Sequence, residues 1–248
     1  NLMENLENEN TLENYRSALD YYNQALVIQK EINDVFNMAS TYGNIGNIYS
    51  RVKEYDEAID YYNKEKVLRE EINDAFGLAG VLNNIGTNYM YIEQYDKAEK
   101  YFEEALKMNE EIENTYGIVK NLTALSKTKA ELGKYSEGLA YMKRSLKLAK
   151  EIKIADAVKD NLKILSEILE EVGDYKSALE YHKEYTVIKD SLLNEETHKQ
   201  FAEMETKYES EKKEQELATQ KSINEKQQLI NEQQEKQLLF AIIGSIVV

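Results

Sequence analysis

Tyrosine recurs along this chain at a fixed interval of 40 residues: Tyr15, Tyr55, Tyr95, Tyr135 and Tyr175, and again Tyr21, Tyr61, Tyr101, Tyr141 and Tyr181. A constant period of this size marks a stack of one supersecondary unit, because a single unit cannot bury its apolar face alone. Two further registers keep step. Ala18, Ala58, Ala98, Gly138 and Ala178 form a small-residue series, and Tyr22, Tyr62, Phe102, Met142 and His182 form a bulky one.

Within a unit the apolar spacing is helical. Ala18, Leu19, Tyr22, Ala25 and Leu26 fall on one face of a 3.6-residue period. A preceding helix is read from Tyr42, Ile45, Gly46 and Tyr49, and one period later from Leu82, Ile85, Gly86 and Tyr89. In later copies this pattern drifts to Leu122, Leu125 and Ser126, then Leu162, Leu165 and Ser166. A mid-helix glycine costs roughly 1 kcal/mol relative to alanine, so Gly46 and Gly86 predict close helix–helix approach, with the bulky series filling the adjacent space. Short turns are expected at Lys53-Glu54, Glu93-Gln94, Gly133-Lys134 and Gly173-Asp174, and N-caps at Asp34, Asp74 and Asn114. The complete absence of proline favours near-continuous helix. The predicted fold class is all-α, a solenoid of antiparallel helix pairs with no sheet and at least nine helices.

Composition narrows the function. With no cysteine there are no disulfides and no thiolate metal sites. A net charge of -15 argues against a nucleic-acid partner, whose phosphates would be repelled. No metal cluster, Gly-rich phosphate loop or nucleophile–base pair stands out, so neither a catalytic site nor a cofactor is expected. The two histidines are His182, placed by its register in the core, and His198, read as a solvated surface residue.

These residues resemble the tetratricopeptide repeat over about residues 14–193. Gly46, Gly86, Ser126 and Ser166 match the small residue at the family's eighth position, and Tyr49 and Tyr89 match the tyrosine at its eleventh, where Lys129 and Leu169 depart. The period here is 40 rather than about 34 residues, and the family's terminal proline is missing. The reading gives about 4.5–5 repeats in residues 1–193, with residues 1–13, including Leu2, Met3 and Leu6, as the remnant of a truncated first helix.

After Leu193 the pattern changes. Residues 194–237 are rich in Glu, Lys and Gln and predict a charged, coiled-coil-like helix in which Phe201, Met204, Tyr208, Ile223 and Ile230 could form a weak homodimer seam. Residues 238–248, LLFAIIGSIVV, are uncharged and read as the beginning of a transmembrane helix that continues beyond Val248. The stretch Asp190-Ser191-Leu192, then Ala202 to Glu209, then Glu211 to Glu214, is similar to membrane-anchored signalling proteins of Bacteroidetes-type bacteria. That resemblance implies a periplasmic repeat region at the inner membrane and a histidine kinase or DNA-binding output domain outside this chain.

In the tetratricopeptide fold the first helix of each pair lines the groove. Candidate peptide-binding residues there are Asn44, Asn47, Asn84 and Lys120. An asparagine amide both donates and accepts, so amides one period apart can pair with an extended backbone, as asparagines do in kinesin light chain and bacterial peptide receptors. The alternative is that Asn44 and Asn84 satisfy backbone groups of the solenoid itself. Asn47, Asn84 and Lys120 also fall at three of the five positions of the carboxylate clamp of chaperone-binding repeats, but Gly43 and Ala124 replace its other cations. Asp160, Glu167, Glu170 and Glu171 make the last part of the groove acidic, which would steer a basic ligand there. The expected function is a peptide- or protein-binding sensory or scaffolding region of a membrane-anchored signalling protein. The alternatives are a membrane-anchored scaffold without an output domain, and the N-terminal part of a sensor histidine kinase.

Overall fold

The computed structural model describes residues 2–193, with side chains from Glu13 onward, together with residues 206, 210, 212–221 and 224. The described residues are helical or lie in turns; none is in a strand. The helices are α1 (Leu2–Glu31), α2 (Val35–Arg51), α3 (Tyr55–Glu71), α4 (Ala75–Tyr91), α5 (Tyr95–Glu111), α6 (Thr115–Glu131), α7 (Tyr135–Glu151) and α8 (Ala155–Glu171). Two more follow, α9 (175–193) and α10 (212–221). The chain divides into two compact units, Asn1–Lys189 and Asp190–Val248.

Each helix from α2 to α8 has 17 residues, about 25 Å at the helical rise. Three linking residues complete each half-period. The linkers carry out the same manoeuvre every time. Lys53, Glu93, Gly133 and Gly173 adopt positive φ. The next amide then reaches back five residues, as in Glu54 N–H to the Tyr49 carbonyl (2.9 Å) and Lys134 N–H to the Lys129 carbonyl (2.8 Å). This bond satisfies a carbonyl at the helix end that would otherwise lack a partner. The predicted N-caps form: Asp34, Asp74 and Asn114 accept from the backbone N–H of Asn37, Gly77 and Gly117.

Packing within pairs follows the small-residue and bulky registers. A Cβ on Gly46 would lie 2.8 Å from the Tyr62 ring, and one on Gly86 equally close to the Phe102 ring. Helix α2 can therefore approach α3, and α4 approach α5, only with glycine at these sites. In the third pair the Ser126 hydroxyl donates to the Gly138 carbonyl at 2.7 Å. Ala58, Ala98, Phe102 and Met142 are fully buried.

Two expectations need correction. Residues 2–13 are not a separate first helix of a truncated repeat, because α1 (Leu2–Glu31) runs unbroken through them. The core register explains why: the positions equivalent to Ile45 and Tyr49 are Asn5 and Glu9, and the small position is Leu6. The apolar seam of the later first helices is thus absent from the sequence of that segment. His182 keeps its register but not its burial; it is exposed, with its ring 5.6 Å from that of Tyr185. Around it on α9, Tyr175, Leu179 and Val187 are also exposed, so this face of α9 is outside the core.

Residues 194–205 and 238–248, with His198, Phe201, Met204, Tyr208, Ile223 and Ile230, lie outside the described residues. Among the described residues, no helix is long and apolar enough to cross a membrane.

Candidate functional groove

The first helices of successive pairs touch one another. Asn121 Nδ2 on α6 donates to Asn83 Oδ1 on α4 at 3.0 Å, and the Thr123 hydroxyl on α6 donates to Asn161 Oδ1 on α8 at 2.8 Å. These are fixed points in longer polar chains. Asn114, the N-cap of α6, donates to Asn109 (2.7 Å), which donates to Asn121 (2.7 Å). Asn161 in turn donates to the Ser145 hydroxyl on α7 at 2.8 Å. Buried amides placed end to end satisfy one another and fix the register of one pair on the next.

One pair earlier, the position of Asn109 is held by Arg69. Its guanidinium bonds Asp74 (2.7 Å), Ser40 (3.0 Å) and Glu65 (3.2 Å) at the junction of α2, α3 and α4. Burial pushes the Glu65 carboxyl up to about 7, against the pull of Arg69. A Cβ on Gly43 would fall 2.3 Å from that carboxylate, so the backbone of α2 leaves room for it. Position 43 could not hold the missing clamp cation for the same reason: Glu65 already occupies the space.

Lys129, the departure from the family's eleventh-position tyrosine, has a structural explanation. In the two preceding pairs Tyr49 stacks on Tyr61 (5.4 Å between centroids) and Tyr89 on Tyr101 (5.5 Å). In the third, the Lys129 ammonium is buried between Glu99 (2.8 Å) and Glu137 (2.5 Å). Burial alone would lower its pKa, but hydrogen bonds to Glu137 and Glu99 outweigh that and hold it above the usual lysine range.

The candidate residues fall on one face but do not form one site. Asn47 and Asn84 line a cavity of about 310 Å³ with Arg51, Tyr62 and Tyr91. Asn84 and Lys120 line the next, about 280 Å³, with Phe76, Asn83 and Tyr116. Asn44 is exposed, one helical turn before Asn47. Asn47 is engaged, since its Oδ1 accepts from the Tyr62 hydroxyl at 2.7 Å. Among the described residues, the side-chain amides of Asn44 and Asn84 have no hydrogen-bond partner; only the backbone carbonyl of Asn84 is used, by Asn88. Lys120 is exposed, with its ammonium 5.8 Å from the centre of the Tyr116 ring. No group of three or more His, Cys, Asp or Glu side chains able to hold a metal occurs among the described residues.

A further cavity borders the acidic stretch that the sequence places at the end of the groove. It has about 590 Å³ and lies between α6 and α8, reaching Met90 of α4 and the first residues of α5 and α7. Met90, Ile164 and Ile168 give it an apolar floor, and Glu131, Asp160, Glu167 and Glu171, against Lys127 and Lys163, supply its charge. A neighbouring cavity of about 390 Å³ shares Met90, Thr123, Lys127 and Asp160, so the face from α4 to α8 is a continuous groove.

Comparison with known proteins fits this architecture. No curated protein sequence matches the chain significantly. Among solved structures, the fold is similar to BtubC (BKLC) from P. vanneervenii (TM-score 0.69, 17% identity, 74% of this chain and 76% of that one). It is also similar to aspartyl phosphate phosphatase F from Bacillus subtilis (0.67, 20%, 72% and 47%), and to a Rap protein complexed with competence and sporulation factor (0.62, 18%, 73% and 51%). The chain spans about half the length of the last two. The tetratricopeptide repeat model matches residues 7–65, 37–111 and 77–151, more than half of the sequence, and the chain belongs to the tetratricopeptide repeat family.

Proposed function

We propose that the face formed by α2, α4, α6 and α8 binds an extended peptide or protein segment, and that this region is a binding module without catalytic machinery. The observation that carries the reading is the pair of unpartnered side-chain amides, exposed Asn44 and half-buried Asn84, one period apart on the face where Asn109, Asn121 and Asn161 are tied into the solenoid. An amide side chain can donate to a backbone carbonyl and accept from a backbone N–H at once. Among proteins of this fold, a Rap conjugation gene regulator has been solved in complex with the Phr* peptide, and a Rap protein with competence and sporulation factor. The test is to select binders from a library of random decapeptides and titrate the hits against the parent chain and the Asn44→Ala/Asn84→Ala variant. Each lost hydrogen bond is expected to cost about 0.5–1.5 kcal/mol of binding with the melting temperature unchanged. A library that yields no binder, or hits that bind the double variant as well as the parent, would overturn the reading.

The finer assignment, a periplasmic sensory region tethered to an inner membrane and coupled to an output domain, rests on the order of charged stretch and apolar run in residues 194–248. Expression of the natural reading frame with a reporter fused on either side of residues 238–248 tests it. Recovery of the fusion in the soluble fraction would remove the membrane from the reading.

A further inference from the structure

We infer that the α6–α8 end of the groove selects an extended peptide in which a bulky aliphatic residue stands beside one or two Lys or Arg residues. This inference rests on the peptide-binding reading above and assigns the chemistry of the ligand at one end of it.

The first argument is the change in one register along the groove. The residue closing the first helix of each pair is Arg51, then Tyr91, Glu131 and Glu171. One turn earlier the series runs Asn47, Thr87, Lys127 and Glu167. The same geometric position thus passes from cationic or neutral to anionic. At Glu131 and Glu171 the carboxylates sit at helix C-termini, where the backbone dipole is already negative. The two effects add, so the potential at this end attracts a cation.

The second argument is the cavity. An acidic rim over a polar surface would attract any cation, but here the rim borders about 590 Å³ with Met90, Ile164 and Ile168 at its floor. That space accepts an aliphatic side chain, and the apolar floor favours one over a polar side chain. Glu131 stands at the rim with Tyr95, both lining the cavity. Glu171 has no partner among the described residues, whereas Glu167 is already matched by Lys163 at 3.6 Å. Lys127, one turn before Glu131 on α6, carries no ion pair and lines the same cavity. It repels a cation placed toward the middle of the groove, where Asp160 is already matched by Lys159 at 3.7 Å, so the ligand's positive charge is favoured at the Glu131–Glu171 end.

Three fluorescein-labelled dodecapeptide pools test this, each random in Ser, Thr, Asn, Gln and Gly except for a central Arg-Arg-Leu, Glu-Glu-Leu or Arg-Arg-Ser. Fluorescence anisotropy against the full chain should show the Arg-Arg-Leu pool binding roughly five- to tenfold more tightly than either other pool, as expected of two exposed ion pairs or one buried aliphatic side chain. The advantage over Glu-Glu-Leu should shrink with added salt and in Glu131→Gln/Glu171→Gln, whose circular dichroism should match the parent. Equal binding of the pools, tighter binding of Glu-Glu-Leu, or an undiminished preference in the double variant would overturn the assignment and leave the groove reading in place. Failure of all three pools to bind would remove both.

Discussion

The pairs α2/α3 and α4/α5 on one side, and α6/α7 and α8/α9 on the other, share a backbone and differ in almost every device that holds it. The earlier half uses glycine against an aromatic ring, at Gly46–Tyr62 and Gly86–Phe102, and stacked tyrosines beside them. The later half replaces the ring with Met142, the glycine with Ser126 and the tyrosine stack with the Lys129 ion cluster. Its groove surface changes in parallel, from amides to charges. A solenoid permits this because each pair touches only its neighbours, so a local substitution needs only a local compensation. The period is thus a property of geometry, met by unrelated chemistries.

The largest effect is expected at Lys129. Replacing it with methionine keeps the apolar stem but leaves Glu99 and Glu137 without their shared cation. Removing one partner of a buried pair typically costs 3–5 kcal/mol. Because Glu99 retains Lys134 at 3.3 Å and Glu137 is half exposed, about 2–3 kcal/mol is expected here. Urea denaturation of Lys129→Met should show it. A change below about 0.5 kcal/mol would mean that the cluster behaves as a surface pair and that the two halves differ less than their contacts suggest.

The earlier half has its own buried charge, Glu65, and it responds to pH in the opposite sense from an ordinary ion-paired carboxylate. With its folded pKa pushed up to about 7 and an unfolded value near 4.3, the native state holds the extra proton between these values. Stability contributed by this group is therefore present at pH 4 and lost as pH rises toward 7. Relative to Glu65→Gln, the parent should lose on the order of 1–3 kcal/mol between pH 5 and pH 8. A difference that stays flat with pH would show that Arg69 keeps Glu65 ionised throughout.

A smaller effect is expected from filling a glycine. Gly86→Ala gains about 1 kcal/mol of helix propensity, but the new methyl would lie 2.8 Å from the Phe102 ring, and overpacking of this kind costs about 1–3 kcal/mol. A net loss of about 1 kcal/mol is expected, while Ser126→Gly in the later half should cost a similar amount through the opposite route, a lost hydrogen bond and added chain entropy. Stabilisation by Gly86→Ala would mean that α4 and α5 can part without penalty.

What the sequence disclosed follows from what repeats. Caps at Asp34, Asp74 and Asn114, the small-residue and bulky registers and the turn sites recur every 40 residues, so each copy corroborates the others. What it hid is what occurs once. Lys129 reads as a defect in the tyrosine register until Glu99 and Glu137 are brought to it from neighbouring helices. The Asn109–Asn121–Asn83 chain joins three helices and has no local signature. Among the candidate site residues, the free amides of Asn44 and Asn84 could be placed on a common face by period alone, but the engagement of Asn47 by Tyr62 could not. The large cavity depends on Met90 meeting Ile164 and Ile168, which no spacing predicts. His182 shows the converse limit: a register fixes which way a side chain faces, and burial still requires something packed against it.

The smallest effects separate the two halves at their turns. Lys53 and Glu93 occupy the left-handed conformation at φ 67° and 59°, where the later half has Gly133 and Gly173 at φ 71° and 81°. A side chain there costs roughly 1–2 kcal/mol through crowding of Cβ against the carbonyl, part of which glycine returns as extra freedom of the unfolded chain. Lys53→Gly and Glu93→Gly are therefore each expected to stabilise by about 0.5–1 kcal/mol. They should not be equal. Both sites follow the C-terminus of a first helix, α2 and α4, where the dipole favours a cation and disfavours an anion by about 0.3–1 kcal/mol. Lys53→Gly removes a favourable charge and Glu93→Gly an unfavourable one, so the glutamate site should gain more, and the gap should close at high salt. Thermal melts of both variants and of the converse Gly133→Ala, which should lose about 1 kcal/mol, measure the strain directly. A Gly133→Ala variant as stable as the parent would show that the turn tolerates a side chain at no cost, and the glycines of the later half would then need another reason.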